Sequence, residues 1–265
     1  MDYIIAIPSY KRSKFLKSKT LHMLNSYNID KDIVYIFVAD KEEKEIYEKE
    51  LINEYKNIIV GKKGIQHIRN FMSNYFNEGQ KIVYIDDDIE GVNIAINEYN
   101  IKEKTFNKLQ RLSCLGTFIT QAFKLSEKTG YGLWALYPRG NPYFMTPNQI
   151  TTKLKFCMGG FHGVINNREA EIRTIGDKED YERTIKYYLK DKGVIRYNGV
   201  SPVTRVYKAK GGLQETDRET DSETNSKILL KNYPRLVKIN KQRKTGFTEI
   251  KLLHSSKDLR NSIVL

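Results

Sequence analysis

The feature that most limits the fold of this chain lies before residue 90. Four short β-branched runs alternate there with amphipathic stretches. Asp2 to Ile7 reads as a first strand, and Pro8 ends it because proline donates no hydrogen bond to a sheet. Ser13 is the expected cap of a helix to Ser26 that buries Phe15, Leu16, Leu21 and Leu24. Ile33 to Val38 is a second strand. Glu42 to Tyr55 is a charged helix with Ile46, Leu51 and Ile52 inward. Ile58 to Val60 is a third strand, Gly61 to Gly64 a turn, Ile65 to Phe76 a helix and Lys81 to Ile85 a fourth strand. Such alternation predicts an α/β fold: a mostly parallel sheet with helices on its faces.

Ligands of such sheets sit beyond the carboxyl ends of the strands. The chemically loaded residues fall there: Pro8, Ser9, Tyr10, Lys11 and Arg12 after the first strand, Asp40 after the second, Gly64, Arg69 and Asn70 after the third. The fourth strand stops on Asp86-Asp87-Asp88. Adjacent carboxylates repel unless a cation joins them. A hard divalent ion with oxygen ligands, its remaining positions filled by water or phosphate, is the usual solution. Strand alternation puts Asp86 and Asp88 on one side and Asp87 on the other. Neither a Gly-x-Gly-x-x-Gly nor a Gly-Lys-Ser/Thr loop accompanies these strands, so a dinucleotide fingerprint and a P-loop are excluded.

These motifs resemble the nucleotide-binding half of the GT-A glycosyltransferases, near the inverting, cellulose- and chitin-synthase-like enzymes. The resemblance implies a Rossmann-like GT-A domain with an acceptor-side extension. By it, Pro8, Tyr10 and Arg12 cradle the nucleotide, Asp40 meets the uracil, and Gly64, Arg69 and Asn70 cover the nucleotide. Asp86 and Asp88 hold Mn2+ or Mg2+ on the sugar diphosphate, and Asp87 joins the nucleotide-sugar contacts. Gly159 and Gly160, in the glycine-rich run Cys157 to Gly163, form a turn under the donor sugar. In Gly176-Asp177-Lys178-Glu179-Asp180 the resemblance makes Asp180 the base that deprotonates the acceptor, with Asp177 and Glu179 as alternatives. From the residues alone, these acids are also well placed at a helix N-terminus, with Asp177 as its cap. His254 matches a third metal ligand of some GT-A enzymes.

The rest of the chain carries weaker signals. Thr105 to Leu125 has helical apolar spacing that ends at Gly130, and Leu133 to Leu136 reads as a strand holding a core Trp134. The loop Tyr137 to Phe144 either lines an acceptor site or packs on its own tyrosines. His162 is expected to be packed. Cys114 and Cys157 are expected to be buried free thiols. Lys208 to Thr220 reads as a mobile lid or a long loop, Ile228 to Tyr233 as a helix, and Leu236 to Leu253 as a hairpin with a basic turn at Lys241 to Phe247.

We divide the chain into a nucleotide-sugar half (1–92), an acceptor half (93–205) and a lid with hairpin (206–265). No apolar run approaches the roughly 20 residues of a membrane span, and the N-terminus lacks signal-peptide character, so a cytoplasmic protein without a membrane partner is expected. A net charge of +13 favours polyanionic partners, although the Lys-, Ile- and Asn-rich usage of an AT-rich genome contributes to it. Size, charge, the Gly211-Gly212-Leu213-Gln214 segment and the basic hairpin are similar to the phage DNA-modifying glycosyltransferases of the TET-associated type. That likeness implies a UDP-sugar donor and a hydroxylated base in DNA as acceptor. A transferase building a surface glycan, and a noncatalytic nucleic-acid-binding protein on the same scaffold, are the competing readings.

Overall fold

The computed structural model describes residues 2–52, 54–101, 104–204, 218–240, 248–253 and 262–264. Its first part is the expected alternation. β1 (Ile4–Pro8) leads through α1 (Ser13–Leu16), a π-helical turn (Lys17–Leu21) and α2 (His22–Ser26) to β2 (Val34–Val38). α3 (Lys41–Glu50), β3 (Asn57–Val60), α4 (Ile65–Tyr75) and β4 (Lys81–Ile85) follow. β1 pairs in parallel with β2 on one side and β4 on the other, and β2 pairs in parallel with β3. The chain therefore reverses its direction of sheet growth between β1 and β4, where the crevice of an open α/β sheet forms. Both faces are covered. Ile5, Ile7, Val83 and Ile85 pack with Leu16, Leu21 and Leu24. Ala6, Phe37, Ile82 and Tyr84 pack with Ile68, Met72 and Phe76 of α4.

Later elements extend this sheet. β5 (Ile89–Asn100), β6 (Thr105–Arg111), α5 (Leu115–Thr129), β7 (Leu133–Leu136), β8 (Gln149–Thr151) and β9 (Phe161–Ile165) come next. Then follow α6 (Arg168–Glu171), α7 (Glu179–Asp191), β10 (Ile195–Tyr197), β11 (Val200–Thr204), α8 (Arg218–Asn232), β12 (Val237–Ile239), β13 (Ile250–Leu252) and β14 (Ser262–Val264). Nine strands form the main sheet in the order β14-β8-β10-β7-β9-β4-β1-β2-β3. β9 is antiparallel to both β4 and β7, and β8 to both β10 and β14; the other strands share one direction. β11-β5-β6 make a separate antiparallel sheet, and β12 with β13 make the expected hairpin.

Several local expectations are corrected. Ser13 is the first helical residue rather than the cap, and Arg12 precedes it without a capping side chain. Ile46 and Ile52 are exposed; Tyr47 and Leu51 fill their place in the core. Thr105 to Leu125 is not one helix. Its first third is edge strand β6, paired with β5, and Phe106 is 82% exposed. The helical spacing arose because Leu109 faces the strand's inner side while Leu115, Ile119 and Ala122 belong to α5. The glycine-rich run is only partly a turn: Phe161 to Ile165 is a buried strand, and a Cβ at Gly163 would lie 2.2 Å from the indole of Trp134. That glycine makes room for the core tryptophan. Cys157 is buried, but Cys114 is exposed.

α8 begins at Arg218, ten positions before the expected start. Ser222 and Ser226 dock it through their hydroxyls, which donate to Thr248 O at 3.4 and 3.3 Å and which apolar periodicity does not register. Most of the expected lid and all of the basic turn at 241–247 lie outside the described residues.

Candidate active site

A cleft of about 700 Å³ opens at the carboxyl ends of β1 to β4. One wall is the loop after β1, with Pro8, Ser9, Tyr10 and Arg12. Another is Lys62, Lys63 and the start of α4 from Gly64 to Ile68. Asp86, Asp87 and Asp88 form the floor, and Thr174 to Asp177 with Asn225 close the remaining side. Gly64 holds φ +95°, which a side chain would strain, and the α4 N-terminus beside it carries no side-chain cap. Its first N–H groups and the lysines suit phosphate oxygens.

The acidic triplet lies in the turn after β4, and its members differ in burial. Asp87 is buried, whereas Asp86 and Asp88 are half-buried. Asp87 anchors the first loop. Its Oδ2 accepts from Ser9 Oγ at 2.7 Å and its Oδ1 from Arg12 Nη1 at 3.2 Å. Tyr47 Oη lies 2.7 Å from Ser9 Oγ and accepts from the Arg12 amide at 3.1 Å. Burial pushes the Asp87 carboxyl up to about 6, against the opposing Ser9 hydrogen bond and Arg12 charge. Burial and then the charge of Asp86 also raise Asp88. Asp86 and Asp88, half-buried carboxylates on one cleft, are a fitting donor set for a hard cation, whose charge relieves their repulsion. Among the described residues no third His, Cys, Asp or Glu converges on them. His254 lies outside the described residues.

Not every expected residue reaches the cleft. Asp40 does not line it; its Oδ1 caps α3 by accepting from Glu43 N at 2.9 Å. Arg69 is buried, with Nη2 donating to Asp86 Oδ1 at 2.6 Å. Asn70 exchanges two hydrogen bonds with the Arg173 backbone, at 3.0 and 2.7 Å, and so ties α4 to the segment before α7. Gly159 and Gly160 are buried between the two sets of acids. Asp86 N donates to Gly160 O at 2.9 Å. A Cβ at Gly160 would lie 3.2 Å from Asp86 Oδ2, and one at Gly159 would lie 2.9 Å from Glu179 Oε1.

Asp180 sits across this glycine pair. Its Oδ2 accepts from Gly159 N at 3.2 Å and its Oδ1 from Tyr181 N at 2.9 Å. Burial, and then the charge of Glu179, push its carboxyl up to about 7. Asp177 is no cap: Lys178 occupies that position with φ +63°, and Asp177 lines the cleft while pairing with Lys178 Nζ at 2.7 Å. His162 is fully buried, as expected. Its Nδ1 lies 2.9 Å from Gly159 O, and its Nε2 meets Arg183 Nη1. A carbonyl accepts and a guanidinium donates, so the ring is neutral with its proton on Nδ1. Burial and Arg183 accordingly hold its pKa well below the usual range.

Thr20 escaped sequence reasoning altogether. It lies in the π-helical turn, and its hydroxyl donates to Asp86 O at 2.7 Å and accepts from Ile89 N at 3.0 Å. It thereby clamps both ends of the acidic turn. A threonine inside an apolar helical pattern gives no warning of that role, although single π turns are often found at functional sites.

Neither a family model nor a curated protein sequence matches the chain. Solved structures do. A mannosyltransferase from Pyrobaculum calidifontis, determined with GDP-Man and Mn2+, has a TM-score of 0.53 at 14% identity over 93% of this chain and 67% of that one. TarS 1–349 of S. aureus has a TM-score of 0.48 at 14% identity over 76% of this chain. The chain spans 59% of that TarS structure. Glucosyl-3-phosphoglycerate synthase from Mycobacterium tuberculosis, in complex with phosphoglyceric acid, has a TM-score of 0.46 at 11% identity over 86% of this chain and 78% of that one. The mannosyltransferase match carries the fold assignment: an α/β domain with a mostly parallel, helix-flanked sheet of the GT-A glycosyltransferase type.

Proposed function

We propose that the protein is a metal-dependent glycosyltransferase that moves a sugar from a nucleoside diphosphate to an acceptor hydroxyl with inversion. One observation carries this reading. Asp86 and Asp88 share a cleft with the first loop and the α4 N-terminus, and the carboxyl of Asp180 lies just beyond Gly159 and Gly160. The GDP-Man and Mn2+ of the mannosyltransferase support the same donor class and a divalent ion.

Asp86 and Asp88 would hold Mn2+ or Mg2+. That ion supplies charge stabilisation to the departing diphosphate. Arg12, Lys62, Lys63 and the first amides of α4 bind phosphate oxygens, and Tyr10 flanks the nucleoside. Asp87 fixes the loop that carries Arg12. Asp180 takes the proton from the attacking hydroxyl, which is a poor nucleophile at neutral pH. A carboxyl raised by its surroundings is a stronger base than an exposed one, and so better matched to that proton. We keep UDP as the donor nucleotide on the resemblance of Pro8, Tyr10, Arg12 and Gly64, which line the cleft; Asp40, Arg69 and Asn70, engaged elsewhere in the fold, are not counted toward it.

For the acceptor we propose a hydroxylated base in DNA. The net charge of +13 and the basic run at 241–247 support it. Such a base must leave the stack to reach Asp180. The test is mass spectrometry of hydroxymethylated duplex DNA incubated with the protein, Mn2+ and a panel of UDP- and GDP-sugars. The expected product is DNA heavier by one sugar per modified base. Unmodified DNA alongside a glycosylated oligosaccharide control would move the acceptor to a surface glycan. A protein that releases nucleotide from no donor would end the transferase reading.

A further inference from the structure

Arg69 joins Asp86 of the proposed cation site to Glu179, the neighbour of the proposed base. It lies on α4 and is 2% exposed. Its Nη2 donates to Asp86 Oδ1 at 2.6 Å and to Gly159 O at 3.4 Å. Its Nε stands 3.7 Å from Glu179 Oε1. Glu179 Oε2 accepts from Arg173 Nε at 2.7 Å, and Arg173 pairs in turn with Glu171 at 3.0 Å. Glu179 is the first residue of α7 and precedes Asp180. The path Asp86, Arg69, Glu179, Asp180 thus runs beneath the glycine pair from the cation side of the cleft to the base.

This chain is a poor device for stability alone. Desolvating ions costs several kcal/mol each, and a buried pair often only matches an apolar replacement. Arg69 Nε and Nη1 also have no hydrogen-bond partner among the described residues. What the arrangement does well is fix geometry. Gly159 lacks the Cβ that would displace Glu179, and Arg173 holds Glu179 from its other side.

We propose that Arg69 and Glu179 are positioning residues: a buried guanidinium–carboxylate bridge that holds Asp86 and Asp180 in one fixed relation and lets the charge on either member reach the base. The bridge rests on the glycosyl-transfer reading for its purpose. Its physical consequence can be read without turnover. Asp180 faces Glu179 and Arg183 on its own helix and the Gly159 amide from the glycine turn; Arg69 and Arg173 act on it through Glu179. Removing the Glu179 charge takes away a repelling neighbour and leaves two cations uncompensated, so Asp180 becomes more acidic. Removing the Arg69 charge leaves Glu179 less neutralised, so Asp180 becomes less acidic. The two substitutions act in opposite directions.

The experiment is carboxyl-carbon NMR titration of the metal-free protein labelled at aspartate, with Asp180 assigned by its absence in Asp180→Asn. Glu179→Gln should lower the Asp180 midpoint and Arg69→Gln should raise it, each by roughly one pH unit. Arg69→Lys, which keeps the charge and guards against a misfolded glutamine variant, should leave the midpoint near that of the wild type. Midpoints that move together, or that stay put while melting temperatures fall, would overturn the bridge and leave a purely structural ion network. Because no donor is present, such a result is told apart from failure of the transferase reading, which the donor panel decides.

Discussion

The hydroxyl of Thr20 donates to the carbonyl oxygen of Asp86 at 2.7 Å and, from the same atom, accepts from Ile89 N at 3.0 Å. Thr20 is fully buried, so both backbone groups depend on it. Thr20→Val keeps the shape and removes the hydroxyl. Two backbone groups then lose their partner, at a cost of about 1–3 kcal/mol for each group left buried and unsatisfied. We expect a destabilised protein by denaturant titration, and weaker stabilisation by UDP with Mn2+ because the turn bearing Asp86 and Asp88 loosens. A variant as stable and as responsive as the wild type would show that the turn holds itself.

Asp87 gives the protein a pH dependence of defined sign. Its carboxyl is pushed up to about 6 in the folded chain and returns to about 4 when unfolded. Between those values the folded state binds the proton more tightly, so stability from this group is complete below about pH 4 and is lost as pH rises through 6. The full effect is about 3 kcal/mol for a group 6% exposed. Asp87→Asn removes it. The stability of the wild type minus that of the variant should therefore be larger at pH 4.5 than at pH 8. Equal differences at the two values would mean that Asp87 ionises normally. Asp180, also raised but remote, cancels in this comparison; Asp88, which adds to the rise of Asp87, loses that repulsion in the variant.

Much of this site was legible because its geometry is local. Alternation set Asp87 apart from Asp86 and Asp88, and the structure buries it more deeply than either although all three line the cleft. The order of four strands placed Pro8, Gly64 and the triplet at one end of a sheet. What stayed hidden depends on partners distant in sequence or on polar packing. Arg69 is expected over the nucleotide, yet it is buried between Asp86 and Glu179, the latter supplied by a segment far downstream. Asp40 has the right place after β2 but spends its carboxylate on α3. β6 mimicked a helix because its few inward residues fell in step with those of α5. The start of α8 was missed because Ser222 and Ser226 dock the helix by hydrogen bonds rather than by an apolar stripe.

The two outward aspartates should report the cation directly. UDP with Mn2+ at a hundred times the dissociation constant stabilises a folded protein by about 2.7 kcal/mol, or roughly 5–10 °C for a chain of this size. Asp88→Ala should remove the part of that shift that depends on Mn2+, leaving a smaller response to UDP alone through Arg12, Lys62 and Lys63. Thermal melts with and without EDTA separate the two parts. A metal-dependent shift that survives in Asp88→Ala would place the ion elsewhere.

The proton acceptor is the assignment that activity can test most sharply, because two carboxylates compete for it. Asp180 is held by the Gly159 amide and is raised to about 7 by burial and by Glu179. Asp177 lines the cleft but is paired with Lys178. A base works only when deprotonated, so with Asp180 in that role kcat/KM should fall as pH drops through about 7, well above the range of an exposed aspartate. Asp180→Asn keeps the size and the contact surface but cannot take the proton. It should lower kcat by about 100- to 10,000-fold, flatten the acid limb, and leave stabilisation by UDP with Mn2+ unchanged, since Asp86 and Asp88 are untouched. Asp177→Asn should cost far less and keep the limb. If instead Asp177→Asn abolishes turnover and Asp180→Asn retains the acid limb, the base is Asp177, and Asp180 serves only to order the glycine turn through the Gly159 amide.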